Sequence, residues 1–273
     1  CWVANESGGY WDYCDFPLEE AEPDALDAWP MPDPDDYDYD ACVARCGRKP
    51  DGFWFLGHPG VGDLMNNAGM LMGVEDVMLR MGEGDEALQR FWKRRIAVQQ
   101  GILERAMDRL GDRIGAVWMG EDLGSQIGPL IGLDMYRSQL RPLHQTIVDC
   151  AASRSLPVMI HSCGSSHWAF EDFIEMGIRA VDTLQPEAAG MDPAVLKQAY
   201  GGQLVFHGCI STAGPVADGS AEDTRQECRR ILDIMMPGGG YCFAPTHLLQ
   251  DNSPTENVVA MYETARKEGI YPG

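Results

Sequence analysis

The sequence predicts an α/β fold, a TIM (β/α)8 barrel whose first strand or strands are absent or displaced into the opening segment. Three observations predict it. From Phe53 onward, short apolar runs alternate with longer helical stretches, the pattern of a parallel sheet with crossover helices. Six such runs can be counted, and each ends in a small polar or metal-capable cluster. Barrels carry their chemistry at the C-terminal ends of the strands. No strand is followed by a G-x-G-x-x-G turn, which weighs against the alternative, a doubly wound open sheet. A full barrel needs eight strands. The remaining one or two fall in residues 1–50 or are absent.

Residues 1–50 are expected to form an irregular acidic segment packed on a barrel spanning 51–273. Trp2-Val3 and Tyr10-Trp11-Asp12-Tyr13 suit a hairpin across Glu6-Ser7-Gly8-Gly9. Pro17–Ala21 makes at most a helical turn. Trp29-Pro-Met-Pro-Asp-Pro cannot be regular structure, because proline fixes φ and removes a donor. The acidic run Asp33–Asp40 reads as a solvated loop. Cys42 and Cys46 lie C-x3-C in helix-like sequence, a poor zinc site without a second pair.

The barrel elements follow in order. Phe53–Leu56 is a strand ending in Gly57-His58-Pro59-Gly60, and helices are expected over Val61–Met72, Val74–Met81 and Asp85–Leu110. The last carries Phe91, Ile96, Gln99, Ile102, Leu103, Ala106 and Leu110 at helical spacing. Ala116–Met119 is a strand ending in Gly120-Glu121-Asp122. Asp134–Ser153 is a helix containing Pro142. The strand 157–161 precedes a helix over His167–Met176. Arg179–Leu184 and Leu204–Phe206 are strands separated by the helix Pro193–Tyr200. Ala221–Met236 is a helix, Tyr241–Ala244 a strand, and Thr255–Glu268 the closing helix, with Ser253-Pro-Thr-Glu as its start signal. The methionines Met65, Met70, Met72, Met78 and Met81 read as adaptable core.

Composition excludes some partners. The chain has 273 residues and a formal charge of −21, so a general nucleic-acid or anionic-membrane binder is not expected. No apolar run approaches the roughly 18 residues of a membrane span. Nine cysteines are scattered rather than framed at disulfide spacings, and no secretory signal opens the chain. Free thiols in the cytoplasm are therefore expected. The first residue is Cys1, as in a fragment or a processed product.

Chemistry concentrates at the strand ends. In Val158-Met-Ile-His161-Ser-Cys163-Gly164 the alternation of a strand puts His161 and Cys163 on one side. Imidazole and thiolate are zinc ligands. If the sheet curls, Gly57-His58, Glu121-Asp122, His161-x-Cys163, His207-Gly-Cys209 and Thr246-His247 share one mouth. His161, Cys163 and His247 would make an open three-ligand site, with Glu121 or Asp122 as a displaceable carboxylate or proton handler. Cys209 competes as the third ligand. His207 is either a hydrogen-bond donor behind the ligands or a packing residue. His58 and His167 are expected in loops or at the surface.

Further motifs carry a resemblance. His161-Ser-Cys-Gly, Met176-Gly-Ile, Gln185-Pro-Glu-Ala-Ala-Gly-Met-Asp-Pro, Phe206-His-Gly, Gly238-Gly-Gly-Tyr-Cys-Phe-Ala-Pro-Thr-His and Pro254-Thr-Glu-Asn together resemble the uroporphyrinogen decarboxylase superfamily. The closer likeness is to its corrinoid-dependent, zinc-containing methyltransferases. The resemblance implies a TIM barrel, with zinc on the His and Cys of H-x-C plus a later Cys. Here those are His161 and Cys163, and the later position is His247. Two departures stand out. Members usually carry residues before the segment that begins here, including the Arg-bearing segment that decarboxylases use for porphyrin carboxylates. The strand after Phe-His-Gly often ends Gly-Ile-Asp; here it reads Cys209-Ile210-Ser211.

With that resemblance, the expected function is zinc-dependent methyl transfer between a small methylated substrate or thiol acceptor and a corrinoid carried by a partner protein. A decarboxylase of tetrapyrroles is the alternative, disfavoured because arginine is sparse at the strand ends. A non-catalytic barrel is the third reading. Missing early strands would bare sheet edges and favour a homodimer.

Overall fold

A computed structural model describes residues 1–5, 8–48 and 52–271. The expected hairpin is present: β1 (Trp2–Asn5) pairs antiparallel with β2 (Gly8–Trp11), and Trp2 meets Trp11 edge-on with ring centroids 5.6 Å apart. Glu6 and Ser7 of its turn lie outside the described residues, as do residues 49–51 around the expected domain boundary.

The acidic run is not a plain solvated loop. After α1 (Pro23–Ala28), a 3-10 turn over Pro34–Asp36 leads into α2 (Tyr39–Gly47), whose N-cap Asp38 accepts the Ala41 N–H at 3.0 Å. The acids face a row of arginines on one long helix, α5 (Glu86–Leu110). Asp27 pairs with Arg90 and Asp40 with Arg109, both at 2.8 Å, and Asp35 pairs with Arg105. Arg94 adds hydrogen bonds to the carbonyls of Leu26, Asp27 and Trp29. Exposed pairs of this kind stabilise little individually; the buried Leu18 and Leu26 supply the apolar contact.

The rest alternates as expected. In order come β3 (Trp54–Gly57), α3 (Met65–Met72), α4 (Val74–Glu83), α5 (Glu86–Leu110), β4 (Ile114–Gly120), α6 (Leu133–Met135), α7 (Arg141–Ala152), β5 (Val158–His161), α8 (Phe170–Met176) and β6 (Ala180–Leu184). Then follow α9 (Pro193–Tyr200), β7 (Val205–Ile210), α10 (Pro215–Asp218), α11 (Ala221–Met235), β8 (Tyr241–Pro245) and α12 (Thr255–Glu268). Strands β3 to β8 form one parallel sheet in chain order. That order is the winding of a barrel; a doubly wound sheet would reverse direction at a switch point. The sheet is a curled half-barrel. The two strands in the first 50 residues pair with each other and do not extend it.

Two elements depart from expectation for physical reasons. Helix α3 starts at Met65, not Val61, because the Leu64 and Met65 N–H groups are held by the Glu121 carboxylate, at 2.8 and 3.1 Å. An acid at a helix N-terminus satisfies unpaired donors and complements the dipole. The helix expected over 134–153 is broken by a π-helical turn at Tyr136–Leu140. Pro142 has no N–H to continue the ladder, so it sits in the first turn of α7, where none is needed.

The core lies between sheet and helices. Asp85 caps α5, and its inner face buries Phe91, Trp92, Ile96, Leu103 and Leu110. Phe170, Phe173 and Phe206 are fully buried as well. Each such side chain contributes about 2–3 kcal/mol by leaving water. Met65, Met72 and Met81 are buried and Met78 packs against the core, whereas Met70 is exposed. Asn257 of α12 is buried and donates through Nδ2 to the carbonyls of Pro215, Val216 and Gly219. It thereby ties α12 to the short α10. Ser253 makes no cap for α12.

Candidate metal centre at the strand ends

Three adjacent strands place three side chains at one level. His161 on β5 is in register with Asp182 on β6, and Asp182 with His207 on β7. Neighbouring strands lie about 4.8 Å apart, so same-facing side chains at one level touch. Asp182 accepts from both rings. Its Oδ2 lies 2.7 Å from His161 Nδ1 and its Oδ1 lies 2.6 Å from His207 Nδ1. Burial alone would push the Asp182 carboxyl up. The two imidazole hydrogen bonds outweigh it and hold the group at about 2.

With Nδ1 committed to Asp182, His161 turns Nε2 to Cys163, whose Sγ is 3.3 Å away. Burial would lower the His161 pKa; the contacts with Asp182 and Cys163 reverse this and raise it to about 10. Asp122, just past β4, completes the group. One ligand atom each from Asp122, His161 and Cys163 lie within 4.8 Å of one another. Asp122 Oδ1 accepts the Cys163 N–H at 2.8 Å and Oδ2 accepts from Asn66 Nδ2 at 3.1 Å. A carboxylate, an imidazole nitrogen and a thiol are donors that suit zinc. A carboxylate behind the ligating imidazole is the usual support of such a ligand.

The loops meet without room to spare. At Gly124 a Cβ would collide with the backbone of Ser165, and at Gly164 with the carbonyls of Gly124 and Ser125. Gly164 also has φ +69°, a conformation that side chains rarely adopt. This close crossing sets where the Cys163 loop lies relative to Asp122.

The other residues named from sequence are placed as follows. Glu121 is buried and points away from Asp122, toward α3. Besides the two α3 N–H groups it meets His144 Nε2 at 3.3 Å and hydrogen-bonds the Asp63 carboxyl. Burial pushes both carboxyls up, to about 8. Burial also holds the His144 ring neutral, at about 4. His207 keeps about a third of its side chain exposed. His247 is exposed, its ring edge-on to His161 with centroids 6.5 Å apart, and is not in the three-residue group. Cys209 is fully buried, its thiol pushed up to about 12 by burial, and stands outside that group. His58 is an exposed loop residue whose Nδ1 accepts the Gly60 N–H at 3.0 Å. His167 lies half-buried in a 3-10 turn. Sequence reasoning passed over Asp182, Asn66, Asp63 and His144. For Asp182 a signal existed: a lone charge inside the apolar strand Ala180–Leu184 has to be paired.

A cavity of about 290 Å³ adjoins the group, with Cys163 and His247 in its wall. Among the described residues, no helix is long and apolar enough to cross a membrane.

Comparison with known proteins agrees with this architecture. The sequence model of the family described as Uroporphyrinogen decarboxylase (URO-D) matches residues 115–268, more than half of the chain. The chain belongs to that family. A methyltransferase from Methanosarcina mazei has a similar structure, with a TM-score of 0.63 at 17% sequence identity. The likeness covers 85% of this chain and 64% of the other, so the chain spans less than two thirds of that protein's length. At this identity the likeness concerns the fold. No curated protein matches.

Proposed function

We propose that the chain is a zinc-dependent methyltransferase. It moves a methyl group between a small methylated substrate or thiol and a corrinoid carried by a partner protein. The observation that carries the reading is the convergence of Asp122, His161 and Cys163 within 4.8 Å, backed by Asp182 at 2.7 Å from the far ring nitrogen of His161. A decarboxylation site has no chemical use for a thiol and an imidazole held this way. The neighbouring cavity also lacks, among its described lining, the Arg or Lys that a polycarboxylate would need.

Asp122, His161 and Cys163 would hold the ion, and exposed His247 is the candidate to close the set. Bound there, zinc supplies Lewis acidity, which lowers the pKa of a thiol or polarises a methylated heteroatom. Asp182 holds the His161 proton on Nδ1, so the Nε2 proton is the one that a bound metal ion would displace. It orients His207 in the same way, leaving His207 Nε2 to take or return a proton at the mouth. Glu121 serves as a buttress that fixes the loop ahead of α3, and Asp122 is the carboxylate that works at the site.

The test is metal analysis of untagged protein beside Cys163→Ser and His161→Ala. About one zinc per chain, lost in both folded variants, supports the reading. Equal metal in all three proteins, or none in any, overturns it.

A further inference from the structure

We infer that the substrate taken beside Cys163 is a small methylated ammonium ion, an inference that rests on the proposed methyl transfer. The cavity next to the centre holds about 290 Å³, at the small end for ligand pockets. Beside Cys163 and His247, its wall carries the amides of Gln126, Gln185 and Gln250 and the carboxylate of Glu187. Among the described lining residues there is no Lys or Arg. A sulfonate, phosphate or carboxylate would therefore enter beside the Glu187 carboxylate with no Lys or Arg to receive it. A cation meets the opposite field.

Glu187 is positioned rather than loose. Its Oε1 accepts from Ser211 Oγ at 2.8 Å and lies 3.4 Å from Gln185 Nε2. Gln185 is itself held, through Oε1, by the Gly164 N–H at 3.0 Å. A chain of hydrogen bonds thus runs from the residue after Cys163 to the Glu187 carboxylate. The charge that would attract a cation is indexed to the same loop as the thiol. Ser211, which stands at the end of β7 where the sequence offers no acid, borrows one from the neighbouring connection.

The charge change of the reaction fits this wall. Were a methyl group passed from an ammonium nitrogen to a reduced, nucleophilic corrinoid of a partner, the N–C electron pair would stay on nitrogen. The nitrogen would be left as a neutral amine, which Glu187 would hold less strongly than the substrate until the amine takes up a proton.

The experiment is calorimetric titration of the full chain with three probes: tetramethylammonium chloride, tert-butanol and sodium methanesulfonate. It is done on zinc-loaded and on chelated protein, with metal content measured on the same samples. Tetramethylammonium should bind at least tenfold more tightly than tert-butanol, and methanesulfonate should not bind. Glu187→Gln should erase the cation preference and Glu187→Asp should keep part of it; Glu187 is exposed, so both variants are expected to fold. Methanesulfonate binding as well as the cation, or an undiminished preference in Glu187→Gln, overturns the inference. Glu187 is not a proposed ligand, so a cation preference in protein that never takes up zinc would sink the metal centre and leave the cation site standing.

Discussion

His161 Nδ1 lies 2.7 Å from Oδ2 of Asp182, its partner at the same level on the next strand. The tautomer of His161 is thus fixed by strand register. Asp182→Asn would present an amide N–H to one of the two rings and unsettle that tautomer. Zinc affinity should fall 10–100-fold with the fold retained, the range seen for residues that support metal ligands. Competition with a chromophoric chelator measures it, and unchanged affinity would remove Asp182 from the centre.

His247 and Cys163 should differ in weight. Cys163 sits in the three-residue group and His247 is exposed beside it. His247→Ala should weaken zinc binding by fewer-fold than Cys163→Ser. The same chelator competition decides the order, and the reverse ranking would make His247 a principal ligand.

Gly124→Ala places a methyl group against the Ser165 backbone. The two loops must part, and Asp122 and Cys163 with them. Metal affinity should drop at least tenfold, while the thermal midpoint moves only a few degrees because the strands are untouched. Equal affinity would show that the loops close without this contact.

The buried His144 gives a pH signature. Its folded pKa is about 4, below the unfolded value of 6.5. Between these values the unfolded chain binds a proton that the folded chain refuses, so this group's contribution to stability falls as pH drops from about 6.5 to about 4. His144→Gln removes the group. The stability gap between wild type and variant should be flat above about pH 7.5 and shift toward the variant on acidification. Urea denaturation at several pH values reads it, and a gap independent of pH counts against a neutral buried ring.

Asn257 is a stability prediction away from the site. Asn257→Ala leaves three carbonyls around α10 without their donor. The loss should be about 2–3 kcal/mol, measured by urea unfolding. A loss under about 0.5 kcal/mol, the range of neutral surface changes, would mean that water replaces the amide.

The alternation of strands and helices was legible because each element's pattern is local. So was the pairing of His161 with Cys163, which needs only the two-residue period of one strand. Asp182 was not read because its role depends on register between β5, β6 and β7, set by pairing far along the chain. Glu121 and Asp122 could not be told apart in sequence. They are adjacent, and their opposite directions come from the turn after β4 and from the bare N–H groups of α3. The arginine row on α5 could likewise have suggested partners for the acidic run, but only once both were seen as facing surfaces.

The centre is built half on frame and half on hinge. His161 belongs to a paired strand, whereas Cys163 and Asp122 stand on connections that follow strands. The entropic cost of gathering a metal's ligands there would therefore fall on the two loops, with the imidazole already in place. Amide exchange should register this division: protection at Asp182 and His207 close to the global value with or without metal, and protection gained on binding confined to residues 121–125 and 162–166.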